Sequence, residues 1–263
     1  MHHRRIIQGA TIYGKQIERY LFNFRIAPER LREKLPPVSW LKPRLVNGYG
    51  VVSFCLLRLE GVTLWPLPNA FGLKSTACAY RCAVADTSEG SEKPSVYILG
   101  RNTNLTAVSR FGSLLLSAPM HTIRSSIKET PSTEEIRTSH ADGSDLFSAR
   151  INKASPDPLE GSRLYEGDQD FTKFIKCEVS SYTPSIASGL LSRVDLVEGS
   201  SYFKPVRAQV LHHSLEDVWS DSDLEFDSAF HTGSGGRYIL KYMGSVPSES
   251  GSRDYATIEK EAA

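Results

Sequence analysis

No run of about 18 consecutive apolar residues occurs in the 263-residue chain, which excludes a membrane-spanning helix. The most apolar run, Val51 to Leu59, is broken by Ser53 and Arg58 and reads as a buried strand. An excess of one charge is also missing: 31 Lys and Arg face 30 Asp and Glu, a formal net charge of +1. Such a balance supplies no basic field for a nucleic-acid backbone, so no nucleic-acid partner and no membrane partner is expected. Cysteine is scarce. Cys55, Cys78, Cys82 and Cys177 lie among apolar or β-branched residues, where a free thiol acts as a small hydrophobe in a reducing compartment. Cys78 and Cys82 are the only close pair, and on a strand they share a face. No second pair completes a zinc site, and the adjacent His212 and His213 project to opposite faces of a strand, so neither a metal nor a cofactor is expected. The G-x-S-x-G elbow and the G-x-x-x-x-G-K-[ST] phosphate loop are absent. The basic start Met1 to Ile7 is followed by Gln8, Lys15 and Glu18 rather than an apolar signal region, which points to the cytoplasm.

What is present is the composition of a globular protein, 40% hydrophobic and 23% charged. Ala27 to Leu35 reads as a short helix, with Pro28 at its start, Glu29 in the first turn and Leu31 stacked on Leu35. Pro36 and Pro37 stop it. Gly48 to Leu59 and Leu73 to Val84 read as strands, and the polar tip Asp86 to Pro94 leads to a return strand at Val96 to Leu99. The period changes at Asn102 to Ser117, where Leu105, Val108, Phe111, Leu114 and Leu115 give a broad apolar helical face, that of a buried helix. Short β-like pieces follow at Met120 to Ile127, Leu146 to Ile151, Phe171 to Val179, Arg193 to Val197 and Val206 to His212. Between them lie polar tracts, Lys128 to Asp145 and Ser155 to Asp170. Ser214 to Trp219 resembles a capping box opening a short helix. The acidic run Asp217 to Asp227 reads as a solvated face, and Gly233 to Gly236 as a flexible turn. Many short strands with few helices predict a β-rich α+β fold, a barrel or a pair of packed sheets, in a single domain over residues 1–244, with a disordered tail over 245–263.

Three stretches carry a resemblance. The first joins the helix Ala27 to Leu31 through Leu35-Pro36-Pro37 to the strand Gly50 to Phe54. The second is the strand Thr76 to Val84 with the hairpin after it, and the third is the helix bearing Ser109-Arg110 with the turn Ser117 to His121. Their order and spacing resemble the acetoacetate decarboxylase superfamily, and most closely its uncharacterised branch. Phe174 to Ser185, Val194 to Leu196 and Tyr202 to Pro205 are similar to that branch as well, so the resemblance spans roughly residues 20 to 212. It implies a single β-barrel with a buried helix, whose interior holds a small carbonyl compound. In decarboxylases of this kind a lysine of depressed pKa forms a Schiff base, since burial beside another cation favours the neutral, nucleophilic amine. That lysine is expected after the Arg-bearing helix and its Pro. Here Pro119 is followed by Met120 and His121, and no lysine occurs between Lys93 and Lys128. The acidic residue expected near Tyr80 is also missing, with Ala77 and Cys78 in its neighbourhood.

The candidate site residues follow from this frame. His121 stands where the family places its reactive amine, and a neutral imidazole there would serve as general acid or base; the plainer reading is a bond to a loop carbonyl. Arg81 interrupts an apolar strand, and a buried guanidinium needs a partner, either a bound carboxylate or enolate or a protein carboxylate. Tyr80 points to the opposite face of that strand. Arg110 corresponds to the helix arginine of the family pattern, its plainer role being to anchor the helix. Ser181 and Tyr182 offer hydroxyl donors to a carbonyl oxygen, although a turn before Pro184 explains them equally.

Two functional classes remain. One is an enzyme, a lyase or isomerase doing proton-transfer chemistry on a small carbonyl or keto-acid compound in the barrel cavity without Schiff-base lysine catalysis. The alternative is a noncatalytic binding protein for an apolar or carboxylated small metabolite. The expected partners are a small-molecule ligand and, through a shared surface, further copies of the chain in a homo-oligomer.

Overall fold

The computed structural model describes residues 9–68, 72–175, 178–199, 202–220, 223–233 and 236–248. Its strands form one hydrogen-bonded network of fourteen. The first, β1 (Thr11–Ile26), lies at the centre, paired with β4 (Tyr49–Leu64), β13 (Leu224–Thr232) and β14 (Gly236–Pro247). Strands β4, β5 (Leu73–Asp86) and β6 (Lys93–Thr103) continue antiparallel from it. From β6 the network divides. One branch runs through β7 (Met120–Glu129), β8 (Thr133–His140), β9 (Asp145–Asn152) and β12 (Lys204–His213) to β13 and back to β1. The other runs through β10 (Glu178–Pro184) and β11 (Leu190–Glu198) to β14, which also returns to β1. Two closed circuits of strands therefore share one wall, β1-β4-β5-β6. The short β2 (Leu41–Pro43) and β3 (Leu45–Val46) add to β5 and β4.

Side chains alternate across a strand, so each strand of the shared wall presents one set to each circuit. Toward the first circuit it sends Tyr20, Phe22 and Phe24, then Val52, Phe54 and Leu56, then Cys78, Tyr80, Cys82 and Val84. These pack with Ile136, Phe147 and Ile151, and Phe54 stacks on Phe147 with ring centroids 4.0 Å apart. Each such buried aromatic or aliphatic side chain contributes about 1.5–3 kcal/mol. Burial pushes the Cys78 and Cys82 thiols well above the usual range, the behaviour of structural thiols. Cys177 lies outside the described residues. The other face of the wall is apolar only in part, with Leu21, Val51, Cys55 and Leu57 interleaved with the buried polar residues Arg19, Asn23, Ser53 and Arg81.

Helix α1 (Pro28–Lys34) forms where its Pro start and Glu29 predict, and buries Leu31. The contact is close: a Cβ added at Gly50 would stand 2.7 Å from Leu31 Cδ2, so a larger residue there would make Leu31 shift. The second helix, α2 (Thr106–Leu115), corrects the expectation of a buried helix. Its buried residues are Ser109 and Gly112, while Phe111 is 66% and Leu114 59% exposed. The helix lies on the outside of the strand network with its small face inward, because Gly112 leaves room for Met120. Phe171 to Val179 was expected to be β-like; instead α3 (Asp168–Phe174) forms, with Asp168 and Asp170 favouring its N-terminus, and β10 begins only at Glu178.

Other corrections concern charge and length. The capping-box segment is a single 3-10 turn, Ser214–Asp217. Asp227 is not solvated: its side chain is fully buried on β13, where it accepts hydrogen bonds from Ser162 Oγ at 2.6 Å and Arg163 N at 2.7 Å and pairs with Arg25 at 3.2 Å. The polar tract Lys128 to Asp145 contains β8. Ser245 to Pro247, assigned from sequence to a disordered tail, instead belong to β14, which pairs at Pro247 with Leu190; residues from 249 lie outside the described ones. Among the described residues no helix is long and apolar enough to cross a membrane.

Candidate functional site

The register of the shared wall sets polar side chains in rows. Asn23, Ser53 and Arg81 align across β1, β4 and β5; Leu21, Cys55, Ala79 and Arg101 align across β1, β4, β5 and β6. Within the first row Ser53 Oγ donates to Asn23 Oδ1 at 2.7 Å, and Asn23 Nδ2 donates to Ser228 Oγ at 3.3 Å. Small residues, Ala79 and Ala83, flank Arg81 on its face and leave room for the long guanidinium side chains. Opposite this face stand β10 and β11 of the second circuit, and α3 with the residue after it, Ile175, covers the opening.

Arg81 is 9% exposed. It makes no hydrogen bond and no ion pair with any described residue, and its Nε is buried without a partner. Burial lowers its pKa; Arg19 adds to the lowering, while Cys55 and Glu198 oppose it. Arg19, by contrast, is paired. Its Nη1 donates to Glu198 Oε2 in an ion pair whose side chains are 2% and 5% exposed, and its guanidinium lies over the Phe203 ring, 5.5 Å from the centroid. Burial alone would lower the Arg19 pKa, but Glu198 raises it above the ordinary arginine value. Arg19 Nε and Glu198 Oε1 are buried without partners, like Arg81 Nε. Arg101 donates from Nη2 to Ser181 Oγ at 2.8 Å and from Nε to Thr183 Oγ1 at 3.2 Å. With hydroxyls instead of a carboxylate around it, burial brings its pKa down to about 10.

The result is a cation-rich interior with three buried guanidiniums, Arg19, Arg81 and Arg101, of which Arg19 is ion-paired with Glu198. A fourth, Arg44, stands at the edge, donating to Phe174 O at 2.9 Å and lying 4.4 Å from the Phe174 ring centroid. Between Arg19, Arg81, Ser53, Ser95, Phe171 and Leu196 is a cavity with about 40 Å³ open to the centres of water molecules, room for roughly three waters at ~10–15 Å³ each. Such a space fits an organic acid of a few heavy atoms. Its positive potential and unused N–H donors favour a carboxylate or a developing enolate oxygen.

The structure brings together two of the residues expected from sequence and separates the rest. Arg81 lines the cavity, and Ser181 joins the same face through Arg101, donating in turn to Val194 O at 2.7 Å. Tyr182 points the other way, into the first core, with its hydroxyl on Asp86 and its ring edge-on to Trp40. His121 is exposed on β7, opposite Asn102, and does not line the cavity. Arg110 is exposed on α2. Tyr80 and Arg81 do point to opposite faces: the Tyr80 hydroxyl donates to Leu146 O at 2.7 Å in the first core. The residues the sequence reading missed are Arg19, Arg101 and Glu198. Arg19 lies in a segment where charged and apolar residues mix, Gln16 to Arg25, so it does not stand out, and Glu198 had no signal, since its partner is 179 residues away.

No family model and no curated protein matches the sequence. Solved structures do match in fold. Acetoacetate decarboxylase from Legionella pneumophila superposes with a TM-score of 0.59 at 12% identity, over 95% of this chain and 89% of that one. An acetoacetate decarboxylase-like enzyme from Sphingomonas wittichii gives 0.56 at 12% identity, over 90% and 92%. The enduracididine biosynthesis enzyme MppR, solved in complex with pyruvate, gives 0.54 at 12% identity, over 97% and 94%. The chain thus has the fold of the acetoacetate decarboxylase-like proteins, as a divergent example of it.

Proposed function

We propose that the second circuit of strands is a barrel whose cavity receives a small carboxylate or keto acid, and that Arg81 holds the ligand's anionic oxygen. The observation that carries this is the state of Arg81. A guanidinium taken out of water without a carboxylate costs several kcal/mol, and Glu198, the acid whose charge acts on Arg81 among the described residues, is committed to Arg19. A ligand carboxylate in the cavity supplies the missing charge and accepts from the guanidinium. The pyruvate bound by a protein of the same fold supports this ligand class.

The chemistry this set of residues suits is proton transfer next to a carbonyl. When a β-keto acid loses carbon dioxide, the electrons of the breaking C–C bond move onto the carbonyl oxygen; when an α-proton leaves, those of the C–H bond do. Either way an enolate forms, and guanidiniums fixed in advance stabilise it without an amine. Among the described residues no lysine lines the cavity, and Lys176 lies outside them. A second reading, a binding protein without catalysis, is favoured by the exposed position of His121, which removes the expected proton donor from the cavity.

The deciding experiment is titration of pyruvate and acetoacetate into the wild type and Arg81→Met by calorimetry, with deuterium exchange at the pyruvate methyl group followed by NMR. Arg81→Met should abolish binding. Its melting temperature should hold or rise, because the substitution removes an uncompensated buried charge and keeps volume. Exchange catalysed by the wild type selects the enzyme; binding without exchange selects the binder. Undiminished affinity in a folded variant rejects Arg81 as the ligand's anchor.

A further inference from the structure

A second site lies on the opposite side of β1 from Arg81. We infer that the pocket around Glu134 and Tyr20 binds a small organic cation, an alkylammonium ion whose N–H groups are taken by the Glu134 carboxylate. The pocket is large, with about 360 Å³ open to the centres of water molecules. Tyr20, Glu134 and His231 are its polar floor, and Ile127, Ile151 and Val206 supply apolar wall for an aliphatic stem.

The cations at its rim are already engaged. Arg58 bonds Glu18 at 2.7 Å, Lys153 bonds Glu129, and Arg207 pairs with Glu160 at 3.7 Å. His231 Nε2 is 3.1 Å from Glu18 Oε1, and its ring stacks on Tyr20 with centroids 4.5 Å apart. Glu134 is left over. It is 8% exposed, makes no ion pair with any described residue, and is bonded through Oε1 to the Tyr20 hydroxyl.

That single bond is contested. The Tyr20 hydroxyl also contacts Glu18 Oε1 at 2.7 Å, and a phenol has one proton for two carboxylates. Burial would raise the Glu18 pKa, but bonds from His231, Tyr20 and Arg58 outweigh it and hold the group at about 2, so Glu18 carries no proton at neutral pH. Burial, Glu134 and Glu18 all keep Tyr20 protonated. Tyr20, Glu18 and Glu134 are therefore one N–H or O–H donor short. An ammonium ion supplies N–H donors at the open side of Glu134 and leaves its alkyl chain against the isoleucines. Mono- and divalent metal ions are poorer candidates, because no cluster of three or more His, Cys, Asp or Glu ligands occurs among the described residues.

The test is calorimetric titration of the wild type with n-butylammonium chloride and with its neutral counterpart n-butanol, repeated on Glu134→Gln and Tyr20→Phe. The amine should bind the wild type, the alcohol at least about tenfold more weakly, and Glu134→Gln should lose about tenfold or more in amine affinity. Tyr20→Phe leaves Glu134 without its phenol donor and should retain amine binding, which keeps the test valid if the glutamine variant fails to fold. Arg81→Met should bind the amine normally, since that side chain faces the other circuit. Equal binding of amine and alcohol overturns the inference, as does undiminished amine affinity in Glu134→Gln. So does an amine that fails to bind the wild type.

Discussion

Arg19 and Arg81 line the same cavity, and the buried carboxylate of Glu198 is bonded to Arg19 and not to Arg81. The asymmetry is one of charge: all three side chains keep a buried atom without a hydrogen bond, but Arg19 has a carboxylate partner, whereas Arg81 has none among the described residues.

Glu198→Gln should therefore damage the fold rather than only the cavity. It keeps the shape but removes the negative charge paired with Arg19, and breaking a buried pair on one side costs about 3–5 kcal/mol. Chemical denaturation should show a loss of that order. A variant as stable as the wild type would mean that Arg19 does not need Glu198 and that the two arginines are equivalent.

No covalent intermediate with a lysine is expected. Borohydride reduction in the presence of pyruvate or acetoacetate should leave the mass of the protein unchanged, because among the described residues no lysine lines the cavity. An adduct mapped to Lys128 or Lys176 would overturn the amine-free chemistry.

Acid should weaken the other side of β1 in a defined window. The Glu18 pKa falls from its ordinary 4.5 to about 2 in the folded chain, so its contribution to stability is complete above pH 4.5 and is lost as the pH falls toward 2. The difference in melting temperature between the wild type and Glu18→Gln should shrink across that interval. A difference that stays constant down to pH 2 would show that the carboxylate is not held by His231, Tyr20 and Arg58.

Local patterns made β4, β5 and β6 legible in the sequence, together with the resemblance that named the fold. The central strand β1 was not. It is buried on both faces, so charged and apolar residues mix, and register shifts at Tyr13 to Lys15 and Gln16 to Glu18 break the alternation a reader would follow. The reading of Asn102 to Ser117 failed for the converse reason: its apolar residues do form a face, but the helix packs through Ser109 and Gly112 and leaves Phe111 and Leu114 outside. At the site, Arg81 was legible because a charge inside an apolar strand is a local signal. The grouping of Arg19, Arg101 and Glu198 around it depends on the closure of β6 to β10 and β14 to β1, which no local pattern encodes.

The central claim, that Arg81 is a ligand's anchor, is tested most directly by a crystal structure of the protein grown with pyruvate. The account predicts the pyruvate carboxylate in the cavity between β1, β5 and α3, within hydrogen-bond distance of the Arg81 guanidinium, with Arg19 still on Glu198. Pyruvate seated elsewhere, or a protein side chain turned in to pair with Arg81 while the cavity stays free of ligand, would contradict it.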